Sequence, residues 1–249
     1  MFTIAHLSDL HVGDPNDSRG RAERAVAHVC SLDPAPDLLL VTGDLADHGV
    51  TEEYAVVREV LAPWPGPLLV GTGNHDARGP FAEVLLGGPR EGPLNQSLEV
   101  GGRRFLMLDS LVPARDGRRI DHGELEPETL AWLDEQLAGS DLPTYVCFHH
   151  PPAPIGIAAA DAIGLRNPDE LRAVLTRHPH HAATLVGHNH VACATTFADR
   201  PMVIGGGVVS TVTLDAEQLP HIWNDAPPSL AVHLVHDDGR LTTHWRTVI

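Results

Sequence analysis

The stretch "LVGHNHVAC", residues 185 to 193, is an apolar run that stops at a glycine and is followed by two histidines one residue apart. With 17 histidines in 249 residues such a pair decides nothing alone, so its weight depends on how the other apolar runs end. Those runs are "FTIAHLSD" (2–9), "DLLLVTGD" (37–44), "PLLVGTGNHD" (67–76), "RRFLMLDS" (103–110), "TYVCFHHPP" (144–152), "ATLVGHNH" (183–190), "MVIGGGVV" (202–209) and "LAVHLVHDD" (230–238). Between them, "RGRAERAVAHVCSL" (19–32), "TEEYAVVREVLA" (51–62), "PETLAWLDEQLAG" (127–139) and "PDELRAVLTRH" (168–178) carry apolar residues at helical spacing, with acids near several starts. Short strands alternating with amphipathic helices predict an α/β layered domain. From about Met202 the pattern turns to strands, and Asp238-Gly239 predicts a hairpin. The length suits a single domain over residues 1–249, and the "APWPGP" connector (62–67) is too short to separate two.

Charge and composition remove several function classes. Against 33 acidic residues stand 17 basic ones, a net charge of −16, which disfavours DNA or RNA as a polymeric partner. Every basic residue is arginine, so neither a Schiff-base lysine nor a P-loop lysine exists. No G-x-S-x-G elbow occurs, and "GTGNHDARG" has Asp76 where a dinucleotide fingerprint needs its third glycine. No apolar run approaches the roughly 20 residues that span a bilayer, and "MFTIAHLSDLHVGD" lacks the order of a signal peptide. A cytoplasmic protein without membrane contact is expected. Cys30, Cys147 and Cys193 are odd in number and widely spaced, which predicts reduced core cysteines rather than a disulfide framework.

Five of the runs end in groups that bind metals: Asp9 and His11 in "SDLH", Asp44 in "TGD", Asn74, His75 and Asp76 in "GNHD", His149 and His150 in "FHHPP", and His188 and His190 in "GHNH". Ligands of open α/β sheets gather outside the carboxyl ends of strands, so these groups are expected on one rim. On an extended chain residues two apart leave the same face, which predicts that Asp9 and His11, and likewise His188 and His190, point together. Gly43, Gly73 and Gly187 precede Asp44, Asn74 and His188, and are expected to make room for ions by sharp turning and close backbone approach. Carboxylate, imidazole and amide donors without thiolate suit Mn, Fe, Zn or Co. Even seven of these ten donors exceed one tetrahedral ion and suit two divalent ions sharing a carboxylate.

The series "SDLH", "GD", "GNHD", "HHPP", "GHNH", spanning residues 9 to 190, resembles the calcineurin-like metallophosphoesterase family. The resemblance implies a four-layer α/β/β/α sandwich and a dinuclear centre at which a metal-bound hydroxide attacks a phosphate ester. It assigns Asp9, His11, Asp44 and His190 to one metal and Asp44, Asn74, His149 and His188 to the other, with Asp44 as the bridge. His149 takes the ligand role because neighbouring strand residues face opposite ways, leaving His150 a supporting one. His75 beside Asn74 is the expected proton donor to the leaving group, and both would contact substrate. Asp47 stands where related Ser/Thr phosphatases place the carboxylate that orients this histidine. Asp76 is expected to cap the following turn. Purple acid phosphatases carry a tyrosine ligand at the position of Asp47, so a tyrosinate-iron centre is not expected.

"HHPPAPIGIAAADAIGLRN" (149–167), with Asp161, Leu165, Arg166 and Asn167, and "GDLADHG" (43–49) are similar to class III cyclic-nucleotide phosphodiesterases and their glycerophosphodiesterase relatives. The similarity implies hydrolysis of small phosphodiesters, with a phosphomonoesterase or a non-catalytic metal-binding module as alternatives. In that group residues 210–228 would form a cap or a subunit contact, and a homodimer or higher homo-oligomer is the expected assembly. Outside the motifs, "RHPHH" (177–181) is read as an exposed loop, and "IGGGVV" (204–209) as close strand packing. His233, His236 and His244 are expected to point outward from a solvated hairpin.

Overall fold

The computed structural model describes residues 1–249. In chain order the elements are β1 (Phe2–Leu7), α1 (Ser18–Cys30), β2 (Leu38–Thr42), α2 (Thr51–Leu61), β3 (Leu68–Gly71), α3 (Arg78–Leu85), β4 (Gln96–Val100), β5 (Arg103–Met107) and α4 (Pro127–Ala138). They continue with β6 (Thr144–Cys147), α5 (Ala158–Asp161), α6 (Pro168–Leu175), β7 (His181–Val186), β8 (Ala192–Phe197), β9 (Arg200–Gly205), β10 (Thr211–Val212), β11 (Ile222–Trp223), β12 (Ser229–Val235) and β13 (Leu241–Thr247). One sheet has the order β13-β12-β1-β2-β3 and the other β4-β5-β6-β7-β9-β8; β10 and β11 form a separate ribbon. The strands β1-β2-β3 and β5-β6-β7-β9 run parallel; antiparallel strands finish both edges of the second sheet and one edge of the first, whose other edge is the parallel β3.

Four layers follow from the period of two along each central strand. Ile4, Leu38, Leu40 and Leu69 of the first sheet meet Phe105, Met107, Tyr145, Cys147 and Leu185 of the second in a core between the sheets. The alternate residues Ala5, Leu7, Leu39 and Val41 face outward onto α1 and α2, packing on Val26, Val29, Tyr54 and Val57. Likewise Leu106, Val146 and Val186 meet Leu133 and Leu137 of α4 and Leu171 of α6. A strand buried on both faces reads as an unbroken apolar run, which is why these strands were legible and the α/β/β/α sandwich is the architecture. The helix starts carry the expected signals: Glu52 and Glu53 in the first turn of α2, and proline in the first turn of α4 and α6, with Glu128 or with Asp169 and Glu170. No helix is long and apolar enough to cross a membrane.

Some elements escape the periodicity. The α3 helix contains Gly79 and Pro80, which read as a breaker, yet proline is tolerated in a helix's first turn, where its missing N–H breaks no intrahelical bond. The edge strands β4 and β8 are half exposed and lack an apolar run. Of the cysteines only Cys147 is a core residue; Cys30 is exposed at the end of α1 and Cys193 is half-buried.

The hairpin of β12 and β13 forms at the expected turn, but His233 does not point to solvent. It is fully buried between the sheets. His6 Nδ1 lies 3.1 Å from His233 Nε2, His6 Nε2 2.8 Å from Thr42 Oγ1, and His233 Nδ1 2.8 Å from Thr243 Oγ1, so a chain of hydrogen bonds satisfies both rings. His244 is exposed as expected and His236 half-buried. In "RHPHH" only Arg177 and Pro179 are exposed: His178 and His180 are half-buried, and His181 is buried and opens β7.

Burial pushes His233 down from 6.5 to about 3, so folded protein keeps the ring neutral while the unfolded chain takes up a proton below pH 6.5. This contribution to stability is complete above pH 6.5 and is lost as pH falls towards 3. In urea titrations from pH 6.5 to 4, His233→Gln is expected to flatten the decline of unfolding free energy by up to about 1.4 kcal/mol per pH unit. An unchanged slope would contradict a neutral buried ring.

Candidate metal centre

The strands deliver the five motifs to one rim, but by a different local geometry from extended chain. Asp9 (φ 58°), His11 (45°), Asp44 (50°), His188 (72°) and His190 (47°) all lie in the left-handed region. Asp and His tolerate that region better than most side chains, although each such residue still costs on the order of 1 kcal/mol or more. Hydrogen bonds between loops hold the conformation: Asp9 N–H donates to Gly43 O at 3.1 Å, His11 N–H to Asp44 O at 2.9 Å, and Gly187 N–H to His149 O at 3.0 Å. The pairs therefore converge because the backbone turns after the strand, and not because alternate residues of a strand share a face.

The glycines permit the expected close backbone approach: a Cβ would lie 2.9 Å from Gly73 N at Gly43, where φ is 93°, 2.5 Å from Asp44 N at Gly73 and 2.9 Å from Thr42 O at Gly187. A Cβ on Gly73 would strike the Asp44 carboxylate, and one on Gly187 would strike the Ser8 hydroxyl. At these two positions the missing side chain makes room for neighbouring side chains at the site.

Each histidine nominated as a ligand is anchored by one ring nitrogen and presents the other to the cluster. His11 Nδ1 lies 3.0 Å from Asp47 Oδ1, His149 Nδ1 2.7 Å from Thr42 O, His190 Nδ1 2.8 Å from Ser210 Oγ, and His188 Nε2 3.0 Å from Ile163 O. If the anchored nitrogens donate, the free ones bring bare lone pairs together: His11 Nε2 is 3.2 Å from His190 Nε2, and His149 Nε2 is 3.2 Å from both His188 Nδ1 and Asn74 Oδ1. Asp44 Oδ2 lies between the two sets, 3.4 Å from His11 Nε2 and 3.3 Å from His149 Nε2. Asp9 Oδ1, buried without a hydrogen-bond donor, is 3.3 Å from His190 Nε2. Lone pairs that converge on an unpartnered carboxylate oxygen repel one another unless a cation stands among them, and this donor set fits divalent metal ions.

Protons show the same demand for positive charge. Burial drives Asp9 up, but His190 and His149 outweigh it and hold the carboxyl at about 2. Burial lowers His149, yet Asp44 and Asp9 raise it to about 9. His188 moves the other way, to about 3, through burial and the charge of His149.

The remaining nominees surround this cluster. His75 Nδ1 is 2.9 Å from the backbone oxygen of Asp47 and 3.2 Å from its Oδ1, while His75 N–H donates to Asp44 Oδ1 at 2.9 Å. Asp47 thus serves two rings, and its shorter side-chain contact is to His11, not His75. Asp76 does not cap the turn that follows it: its carboxylate accepts from Gly73 N–H at 2.8 Å, three residues earlier, and from Leu45 N–H, Ala46 N–H and Tyr54 O–H, while α3 starts without a side-chain cap. That buried carboxylate ties the second and third motif loops together. His150 stands beside the cluster: its Nδ1 is 2.8 Å from Ser110 Oγ, its ring is tilted against His188 at 4.6 Å, and its buried Nε2 has no hydrogen-bond partner, so that its ligand atom groups with those of His149 and His188.

The sequence reading missed Ser210, Ile163 and Thr42, of which two act through backbone oxygens, and it missed Arg21. The buried Arg21 guanidinium donates to Val208 O and to Ala226 O, drawing together the two ends of residues 210–228. A cavity of about 480 Å³ opens over the cluster; Ala160 and Ile163 line one side, and Val212, His221, Ile222 and Asn224 line another.

The fold and the cluster define a metal-dependent phosphoesterase scaffold, and comparisons with known proteins agree. The calcineurin-like phosphoesterase family matches residues 2–192, and the chain belongs to that family. It is 31% identical to a glycerophosphodiester phosphodiesterase, GpdQ, of Enterobacter lignolyticus, over 92% of this chain and 86% of the relative. A probable cyclic nucleotide phosphodiesterase of Synechococcus is 34% identical over 98% of this chain and 92% of its own. The 3',5'-cyclic adenosine monophosphate phosphodiesterase CpdA of Pseudomonas aeruginosa is 32% identical over 96% and 88%. Among solved structures, a dimetal phosphatase from Danio rerio shares the fold with a TM-score of 0.73 at 15% identity, covering 100% of this chain and 96% of that one.

Ser210→Ala would leave His190 Nδ1 without its anchor. Metal affinity in a chelator-competition titration with Mn or Zn is expected to fall by about tenfold to a hundredfold, with the melting temperature of metal-free protein little changed. Unaltered affinity would show that the Ser210 contact does not orient the ring.

Proposed function

We propose that the protein is a dinuclear metal-dependent phosphodiesterase that hydrolyses small phosphodiesters, cyclic nucleotides or glycerophosphodiesters. The observation that carries this reading is the position of Asp44 Oδ2 between the His11 and His149 imidazoles, at 3.4 and 3.3 Å, with separate donor sets on either side. Asp9, His11 and His190 would hold one divalent ion, Asn74, His149 and His188 the other, and Asp44 both. Bound ions would polarise the phosphoryl oxygens and lower the pKa of water towards neutrality. Mn, Fe, Zn and Co all suit these donors, and availability selects among them.

The chain's own groups do the rest. The backbone oxygen and carboxylate of Asp47 hold His75 Nδ1–H, which leaves Nε2 to carry the proton for the departing alkoxide. Burial lowers His75, and Asp44 partly offsets this. Asn74 and His75 line the cavity beside the substrate. Residues 1–249 are read as one domain in which 210–228 cap the cavity, a reading supported by Val212, His221, Ile222 and Asn224 in its wall. Leu214, Leu219, Ile222 and Trp223 expose apolar surface on the same segment, which favours a homodimer or higher homo-oligomer. The net charge of −16 favours a small diester over a nucleic-acid polymer.

The test is turnover by Mn-loaded protein of bis-p-nitrophenyl phosphate, a diester with an alkyl leaving group and the corresponding monoesters, with an EDTA control. Diester cleavage that EDTA abolishes supports the reading, and cleavage of monoesters alone contradicts it. Asp44→Ala should lower both metal content and turnover, the latter by about a hundredfold or more. His75→Ala should keep its metal and lose about 10²- to 10⁴-fold in kcat on the alkyl ester, and less on the nitrophenyl ester, whose leaving group needs little protonation. Equal losses on the two esters would exclude His75 as the proton donor.

A further inference from the structure

Arg119 is the single arginine on the wall of the cavity over the cluster, where the carboxylates are Asp14, Asp44, Asp47 and Asp121. It also lines a neighbouring cavity of about 460 Å³ that shares Asp47, Asn74 and His75 with the first. A built turn sets its position. Asp116 and Gly117 have φ of 51° and 70°, and Arg115 and Arg118 exchange backbone hydrogen bonds of 3.0 and 2.9 Å, as in a type I′ hairpin turn.

The guanidinium is held at one end and free at the other. Nε donates to Asp121 Oδ1 at 2.6 Å. Nη1 is 2.9 Å from His75 Nδ1, but that nitrogen already faces Asp47 O at 2.9 Å and Asp47 Oδ1 at 3.2 Å. A hydrogen on Nδ1 satisfies both oxygens and opposes Arg119; without it, two oxygens are left facing a lone pair. The first arrangement has fewer opposed contacts, so Nη1 lacks a protein acceptor there. A half-exposed guanidinium with a free donor edge, beside the nominated proton donor, matches the paired oxygens of a phosphate.

We propose that Arg119 binds the non-bridging oxygens of the substrate phosphodiester where the two cavities meet, with one ester substituent directed into each. The proposal rests on the hydrolase reading above, and its test separates the two. Binding of inorganic phosphate to Mn-loaded wild type, Arg119→Ala and Arg119→Lys is measured by calorimetry, alongside metal content and the kcat and KM for bis-p-nitrophenyl phosphate.

Arg119→Ala is expected to retain its metal, to weaken phosphate binding by about tenfold or more, and to raise KM by a similar factor with less effect on kcat. Arg119→Lys, which restores a charge without the fork, should recover part of the loss. Unchanged phosphate affinity in Arg119→Ala, or loss of metal from it, would overturn the proposal. Arg119-dependent phosphate binding in a protein that cleaves no diester would uphold the anion site and sink the hydrolase reading.

Discussion

Four imidazoles, each fastened by one nitrogen to a fixed oxygen, face one another with the other nitrogen, and much else in this protein keeps them there. The anchors come from separate places: the Asp47 carboxylate, the Thr42 carbonyl at the end of β2, the Ile163 carbonyl beyond α5, and the Ser210 hydroxyl beyond β9. The His149–Thr42 contact joins the two sheets, while the other three each join two loops at the rim of one sheet. Left-handed backbone at five residues beyond the ends of three strands, β1, β2 and β7, adds to the cost, and the hydrogen bonds between loops hold it against relaxation.

The residues proposed as metal ligands and the segment proposed to cover them are coupled through short paths. Ser210 touches His190 at the start of the 210–228 segment, and Val212 N–H donates to His190 O at 3.3 Å. Arg21 of α1 closes the base of the same segment through Val208 O and Ala226 O. The orientation of one imidazole and the placement of the cavity's wall therefore depend on the same few residues, which links the electrostatics of the floor to the shape of the space above it.

Much of this was legible in the sequence, and the reason is positional. Asp9, Asp44, Asn74, His149 and His188 follow apolar runs within a few residues, so the period that marks a strand also marks where its chemistry sits. What stayed hidden falls into two kinds. Thr42 and Ile163 act through backbone oxygens, which no residue type betrays, while Ser210, Arg21 and Tyr54 reach partners far away along the chain. Inference from extended geometry failed where the chain had already left the strand, as at His11 and His190. The expectation for His233 failed because β12 is covered by the second sheet, and a histidine there finds His6 and Thr243 rather than water.

Asp44 is proposed to be shared by two ions. The most direct measurement is an anomalous difference map from crystals of the protein grown with Mn. Two peaks are expected, one beside Asp9, His11 and His190 and one beside Asn74, His149 and His188, with the Asp44 carboxylate between them. A single peak in metal-saturated crystals, or two peaks that leave Asp44 uncoordinated, would contradict the account.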